Sequence, residues 1–221
     1  MTFSFVHPSY RRPKEAYDCF RAWVKAETIG EEVLDWNISL SSGDPTAKEY
    51  VKLFDIEPVN IVSYPTTNMV SASNAMAKEV KGDIIILVSD DMYPCHEWDE
   101  KLLAYFKRFG DEPAVLQVHD GNRCDILTIP IMNRAAYEML GYLYHPSYMS
   151  MFADNDLTET ARKHGIYYNA LDIQFDHRHY TAGKSKLDVT YQKENSRVAW
   201  DHGQRTFELR KRKGFPIDGL A

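Results

Sequence analysis

Cysteine is scarce in this chain. The three residues Cys19, Cys95 and Cys124 are an odd number with no CxxC spacing, which argues against a disulfide framework or a thiolate zinc site and points to a reducing compartment. Long apolar runs are missing too. The longest, Ile84 to Val88, is strand-sized, far short of the roughly 20 residues a membrane span needs. The opening MTFSFVHPSYRRP holds a brief apolar stretch and no cleavable signal, so a cytoplasmic location is expected. Nor is positive charge in excess. Twenty-six Lys and Arg face 32 Asp and Glu, for a net charge of −6. With no interleaved basic and aromatic patch, a nucleic-acid partner is not expected. Internal repeats and low-complexity linkers are also absent.

What remains is ordinary soluble-protein material: 44% hydrophobic and 26% charged residues, with fourteen tyrosines. A chain of 221 residues fits one domain. The pattern predicts a domain over 1–195, with 196–221 as a basic helical tail packed on it. Strands are expected at Phe3–Val6, Val33–Leu40, Val59–Ser63, Ile84–Val88, Ala114–Val118 and Tyr167–Phe175. Apolar spacing predicts helices at Lys14–Ala26, Thr46–Phe54, Asn68–Val80, Glu97–Phe109, Asn133–Leu140 and Asn155–His164. A further strand at Ile126–Met132 contains Pro130, which places it at an edge or makes it irregular. Alternating helices and strands predict a doubly wound α/β layer. The β-branched run Ile84–Val88 reads as a strand buried on both faces.

Directly after that run stand Ser89, Asp90 and Asp91. The carboxyl end of a buried parallel strand is where ligands bind in open α/β sheets. Adjacent carboxylates repel, the more so when desolvated, and a hard cation such as Mg²⁺ or Mn²⁺ relieves this while neutralising a diphosphate. Capping of a following helix is the plainer structural alternative.

On these residues the chain resembles the GT-A glycosyltransferases, the large inverting group that uses nucleotide-sugars. The likeness extends over roughly residues 3 to 192. It implies a Rossmann-like three-layer sandwich with a mixed, mainly parallel central sheet. Ser89-Asp90-Asp91 takes the place of the family's DxD element, with serine where the first acid stands. The resemblance implies that Asp91 binds the metal and that Asp90 contacts the ribose or helps with the metal. Phe5 to Arg12 resembles the first strand and nucleotide-binding loop, which makes Pro8, Tyr10 and Arg11 donor contacts. Ser41-Ser42-Gly43-Asp44-Pro45 resembles the turn where relatives place an acid that reads the base, falling here on Ser41 or Ser42, with Asp44 slightly late. Asn68 and Asn74 fall on the helix that approaches the donor.

Inverting transfer needs a carboxylate to take the acceptor proton. By resemblance Asp154 matches that base and Asp156 the acid two residues on, with Ala153 where relatives carry the first acid. Both also stand where helix caps are common. His177 and His179 follow an extended segment, and alternate residues of a strand point the same way. The family completes its metal site near here, with His177 the nearer and His179 the second. Lys184, Asp188, Tyr191 and Lys193 fall in a loop that could close over donor phosphate. The cofactor implied is Mn²⁺ or Mg²⁺, and imidazole with carboxylates suits Mn²⁺. The donor implied is a UDP-, GDP- or dTDP-sugar, and the acceptor a saccharide or other hydroxyl.

Residues 119 to 150, with Tyr142, Tyr144 and Tyr148, are expected to hold the acceptor. Arg197, Arg205 and Arg210 to Lys213 form a solvated helix or a peripheral membrane contact. Two other readings compete. A sugar nucleotidyltransferase would carry a glycine-rich loop, and HPSYRRP has no glycine. A non-catalytic nucleotide-sugar or carbohydrate-binding protein would share the cleft without turnover.

Overall fold

Successive side chains of a strand point to opposite faces, so the run at 84–88 can serve two cores at once. The computed structural model describes residues 1–30 and 34–217. It runs β1 (Phe3–Ser9), α1 (Pro13–Lys25), β2 (Leu34–Ser41), α2 (Ala47–Leu53), β3 (Val59–Tyr64), α3 (Met69–Ala77) and β4 (Ile84–Leu87). Next come β5 (Met92–Tyr93), α4 (Trp98–Phe106), β6 (Val115–His119), β7 (Ile131–Asn133), α5 (Arg134–Leu140), α6 (Ala153–Lys163) and β8 (Tyr167–Gln174). The strand β9 (Asp176–His177), a 3-10 turn at Tyr180–Ala182, α7 (Val189–Glu194) and α8 (Arg197–Arg212) follow.

Seven strands form one sheet in the order β3-β2-β1-β4-β7-β6-β8. β7 pairs antiparallel with both its neighbours, β4 and β6, while the remaining pairs are parallel. Ile84 and Ile86 enter one core with Phe5, Trp23, Trp36 and Trp98. Ile85 and Leu87 enter the other with Val70, Met132 and Leu157. Helices α1, α2 and α4 cover the first face, and α3, α5 and α6 the second. The result is the expected mixed three-layer α/β sandwich.

Within the first core the Phe5 ring stacks on Trp36 at 4.2 Å and meets Trp23 and Trp98 edge-on at 5.1 and 5.4 Å. Such contacts add about 0.5–1.5 kcal/mol each beyond burial. They fix β1, and with it the loop that follows, against α1 and α4. A glycine allows a close approach elsewhere. A Cβ at Gly203 would fall 2.2 Å from the Met151 carbonyl oxygen, so α8 lies directly on the turn that precedes α6.

The elements expected up to Val118 are found within three residues of their expected ends, and the two-residue β5 is an addition to them. The expected start of the second strand at Val33 lies outside the described residues. Pro130 departs from expectation. Only Ile131–Asn133 is extended, and it lies inside the sheet between β4 and β6 rather than at an edge. Pro130 precedes the strand and its carbonyl accepts the Leu87 N–H at 2.9 Å. It lacks only a donor, and none is required there.

The basic end of α8 is not wholly solvated. Arg210 is buried, and its Nε donates to Asp156 Oδ2 at 2.6 Å. Among the described residues no helix is long and apolar enough to cross a membrane. Arg210→Ala leaves the Asp156 carboxylate buried without its cation. It is expected to cost about 3–5 kcal/mol, read as a lower urea midpoint at unchanged m-value.

Candidate functional site

In this sheet the chain order reverses between β1 and β4: β2 and β3 build outward on one side, the later strands on the other. Ligands bind in the crevice at the carboxyl ends of strands flanking such a reversal. A cavity of about 360 Å³ opens there. Pro8, Ser9 and Tyr10 reach it from the end of β1, Ser41 from β2, and Ser89, Asp90 and Asp91 from β4.

The two aspartates are neutralised by separate partners. Asp90 Oδ1 accepts from Nε2 of the buried His7 at 2.9 Å, and Arg12 Nη1 lies 3.9 Å from Oδ2. Asp91 accepts from the Ser89 hydroxyl and, at 2.6 Å, from the Tyr191 hydroxyl. His177 Nε2 stands 3.3 Å from Asp91 Oδ2. Burial alone would raise the Asp91 carboxyl. The donors from His177, then Ser89 and Tyr191, outweigh it and hold the pKa well below the usual carboxylate range.

Backbone pairing explains why His177 reaches this point. The strand β9 pairs antiparallel with β5, setting His177 opposite Met92, one residue past Asp91. The His177 N–H donates to the Asp120 carbonyl at 2.8 Å, and the Asp120 carboxylate faces Nδ1 at 3.4 Å. Gly121 permits this approach, since a Cβ there would fall 2.8 Å from the Phe175 carbonyl. Burial disfavours the His177 charge, but Asp120 and Asp91 together raise its pKa to about 9. The Asp120 carboxyl, opposed by burial but held by His177 and two backbone amides, falls to about 2.

A cap crosses the cavity. Asp188 caps α7 by accepting the Tyr191 N–H at 2.9 Å, and it receives a two-pronged contact from Arg12 Nε and Nη2, each at 2.7 Å. The Arg12 guanidinium also lies 3.9 Å over the Tyr191 ring. Burial works against its charge, yet Asp188 and Asp90 hold the Arg12 pKa above its ordinary value. Thr190 Oγ1 donates to the Tyr10 carbonyl at 2.8 Å. Helix α7 is thereby tied to the loop after β1.

Asp154 stands at the second position of α6, on the cavity wall. The helix start, the Asn155 N–H at 2.8 Å and nearby Arg123 all favour its charged form. Burial is larger and raises its pKa.

Several expected residues lie elsewhere. Asp156 is fully buried away from the cavity, accepting from Arg210 and from Tyr148 Oη at 2.9 Å. It is a structural ion-pair partner and cannot meet a substrate. Arg11 adopts φ 57° while its N–H donates to Asp44 Oδ2 at 2.8 Å. That left-handed turn sends Arg11 to solvent and Arg12 inward. Asp44 is spent on this contact and on Thr46, outside the cavity lining. Asn74 pins the 143–144 backbone through three hydrogen bonds. Lys184 pairs with Asp176 at 2.8 Å, also outside the lining. Tyr142 and Tyr148 are buried in the second core, leaving Tyr144 alone of the three on the cavity. Asn68 lines the cavity and caps α3, and His179 lines it with Nδ1 2.7 Å from Thr181 Oγ1. Sequence reasoning gave no role to Phe152 or Trp200, and placed Asp120 and Arg123 only within the acceptor segment 119 to 150. Asp120 stands just past β6, at the same sheet edge as Asp91, which was the available signal.

No protein-family model matches this sequence, and no curated protein matches it. Solved structures do. S. aureus TarS superposes with a TM-score of 0.65 at 14% identity, over 79% of this chain and 36% of that one. S. aureus TarS 1-349 in complex with UDP-GlcNAc gives 0.62 at 13% identity, over 79% and 57%. The mannosyltransferase PcManGT from Pyrobaculum calidifontis, in complex with GDP-Man and Mn²⁺, gives 0.60 at 10% identity, over 95% and 75%. The fold is the GT-A glycosyltransferase fold. The chain spans about a third of that first TarS chain. Its cavity lies at the sheet reversal, bounded by the acidic turn after β4, the Asp154 turn and α7.

The tie between Arg12 and Asp188 is a charge-assisted fork, discounted because the Asp188 side chain is 39% exposed. Asp188→Asn is expected to weaken the tie by about 1 kcal/mol, so α7 amides exchange hydrogen about fivefold faster. Native-state exchange measured by mass spectrometry checks this, with α3 amides as the unchanged reference.

Proposed function

We propose that this protein transfers a sugar from a nucleoside-diphosphate sugar to an acceptor hydroxyl, with inversion at the anomeric carbon. One observation carries the reading: a carboxylate with raised pKa, Asp154, shares a single cavity with the Asp91–His177 pair at the reversal point of a GT-A sheet. Structures of the same fold hold UDP-GlcNAc, or GDP-Man with Mn²⁺, and supply the donor class by analogy.

The residues fit a divalent cation in chemistry. Asp91 offers carboxylate oxygen and His177 Nε2 an imidazole nitrogen, while Asp120 against Nδ1 gives the oriented ring that metal-binding histidines use. Among the described residues no group of three or more His, Cys, Asp or Glu is set as a metal cage, so donor oxygens and water would complete the coordination. Asp90 is committed to His7 and Arg12 and is the weaker ligand candidate. Bound there, Mn²⁺ or Mg²⁺ would neutralise the diphosphate.

The chain's own residues do the rest. Pro8, Tyr10 and Ser41 form the nucleotide side of the cavity. Lys193, whose Nζ lies 4.5 Å over the Tyr10 ring, stands where a phosphate would meet it. Asp154 takes the proton as the acceptor oxygen bonds to the anomeric carbon and the bond from that carbon to the diphosphate breaks. Orientation and charge stabilisation supply most of the rate.

Calorimetric titration with UDP, GDP and dTDP, each with and without Mn²⁺, tests the donor site. One nucleotide is expected to bind in a metal-dependent manner, and Asp91→Ala to abolish that dependence. Absence of binding by every nucleotide in either condition overturns the reading.

Asp154→Asn is expected to lower kcat by about 10²–10⁴-fold with nucleotide affinity retained. Because the base works ionised and burial raises its pKa, activity falls as pH drops through a value above the ordinary aspartate range. A pH profile of kcat/KM locates that acid limb, and one centred at or below the ordinary value excludes Asp154 as the base.

A further inference from the structure

Trp23, Trp36 and Trp98 are packed in the first core, whereas Trp200 on α8 is 47% exposed and lines the cavity. Its indole meets the Phe152 ring edge-on at 5.0 Å and 71°. Phe152 is held at φ 70°, a left-handed conformation that a non-glycine residue adopts at a cost of about 1–3 kcal/mol. The surrounding contacts enforce it. Gly203 seats α8 on the Met151 carbonyl, and His202 Nε2 donates to the Ser147 carbonyl at 2.9 Å. The two rings, Trp200 from α8 and Phe152 from the turn that carries Asp154 two residues later, form one surface on the cavity wall.

Resting on the glycosyl-transfer reading above, we propose that Trp200 and Phe152 are the stacking platform of the acceptor subsite, and that the acceptor is a saccharide. Indole and phenyl faces bury apolar area with few rotatable bonds, so little freedom is lost on binding. The same cavity wall carries Asn155, Asn195 and Arg123. Asn195 Nδ2 donates to the Tyr191 carbonyl and Arg123 Nε and Nη2 to Asp125, which leaves the Asn155 amide, Asn195 Oδ1 and Arg123 Nη1 to meet ligand hydroxyls. A pyranose ring matches both features, with a C–H face for the rings and hydroxyls for the polar groups. A plain hydrocarbon acceptor offers those remaining atoms no partner. The tyrosines expected from sequence to serve here are otherwise engaged: Tyr148 Oη donates to Asp156, and Tyr144 Oη to the Thr128 carbonyl at 3.2 Å. The acceptor side therefore belongs to the C-terminal helix.

Since the other three indoles are buried, Trp200 dominates acrylamide quenching of the intrinsic fluorescence. Methyl glycosides of glucose, galactose and N-acetylglucosamine serve as probes with the full chain. At least one is expected to protect the emission from acrylamide. Trp200→Ala is expected to weaken calorimetric binding of that glycoside about tenfold, equivalent to ~1.4 kcal/mol, with nucleotide affinity and melting temperature unchanged. Trp200→Phe is expected to restore part of the loss, which a purely structural role would not predict. Nucleotide binding without protection by any glycoside overturns the platform and leaves the donor site standing. Absence of nucleotide binding instead overturns the function proposed above. Protection by alkyl chains but by no glycoside overturns the saccharide assignment.

Discussion

Two adjacent carboxylates at the end of a fully buried strand are the constraint around which this molecule is arranged. Unpaired, they would repel one another in surroundings that disfavour even one charge. The fold separates their partners. Asp90 is held by His7 and Arg12 from the first strand and its loop, and Asp91 by Ser89, His177 and Tyr191. Those partners come from positions 7 to 191, so balancing two charges ties β1 and its loop to β9 and α7. The tie between Arg12 and Asp188 is part of the same arrangement, because Arg12 touches both Asp90 and the cap of α7.

A balanced site is also a guarded one. With Tyr191 Oη at 2.6 Å and His177 at 3.3 Å, Asp91 has its charge satisfied by protein groups alone. A cation binding there has to exchange with a hydroxyl donor on a short helix whose ties to the rest of the chain include the Arg12–Asp188 ion pair, the Arg12 contact with the Tyr191 ring, and the Thr190 and Ser150 hydroxyls. Such exchange is inexpensive when it moves α7, a helix of six residues, and costly if it moved β4. The rigid sheet places the carboxylates, and the short helix is the part that can yield.

Much of this was legible in the sequence where chemistry is local. A five-residue β-branched run needs apolar cover on both sides, and the acids that follow it must then meet a partner at the sheet edge. His177 was legible for a similar reason, as it ends an extended segment. The failures share a cause. Arg11 and Arg12 differ only in a left-handed turn imposed by Asp44, 33 residues away. Asn74 resembles a ligand-facing amide until the loop 69 residues on folds over it. Pro130 breaks a strand pattern, yet its site in the sheet requires an acceptor and no donor. In each case a partner remote in sequence decided where a side chain points, and neither periodicity nor motif spacing carries that information.

Asp154 and Asp156 show how far the partner, rather than the residue type, assigns the role. Both are aspartates in the first turn of α6, both near the positive end of the helix. Two residues of helix turn them by roughly 200°, one toward the cavity and the other toward α8. There the buried Arg210 guanidinium donates to the Asp156 carboxylate. Asp154 receives no buried cation. It has the Asn155 amide and the more distant Arg123, whose guanidinium is taken up by Asp125. A carboxylate left partly unbalanced in this way keeps an affinity for protons, and that is the property a general base requires. The C-terminal helix therefore acts twice on the same turn: Arg210 removes Asp156 from the chemistry, and Trp200 furnishes the wall beside Asp154.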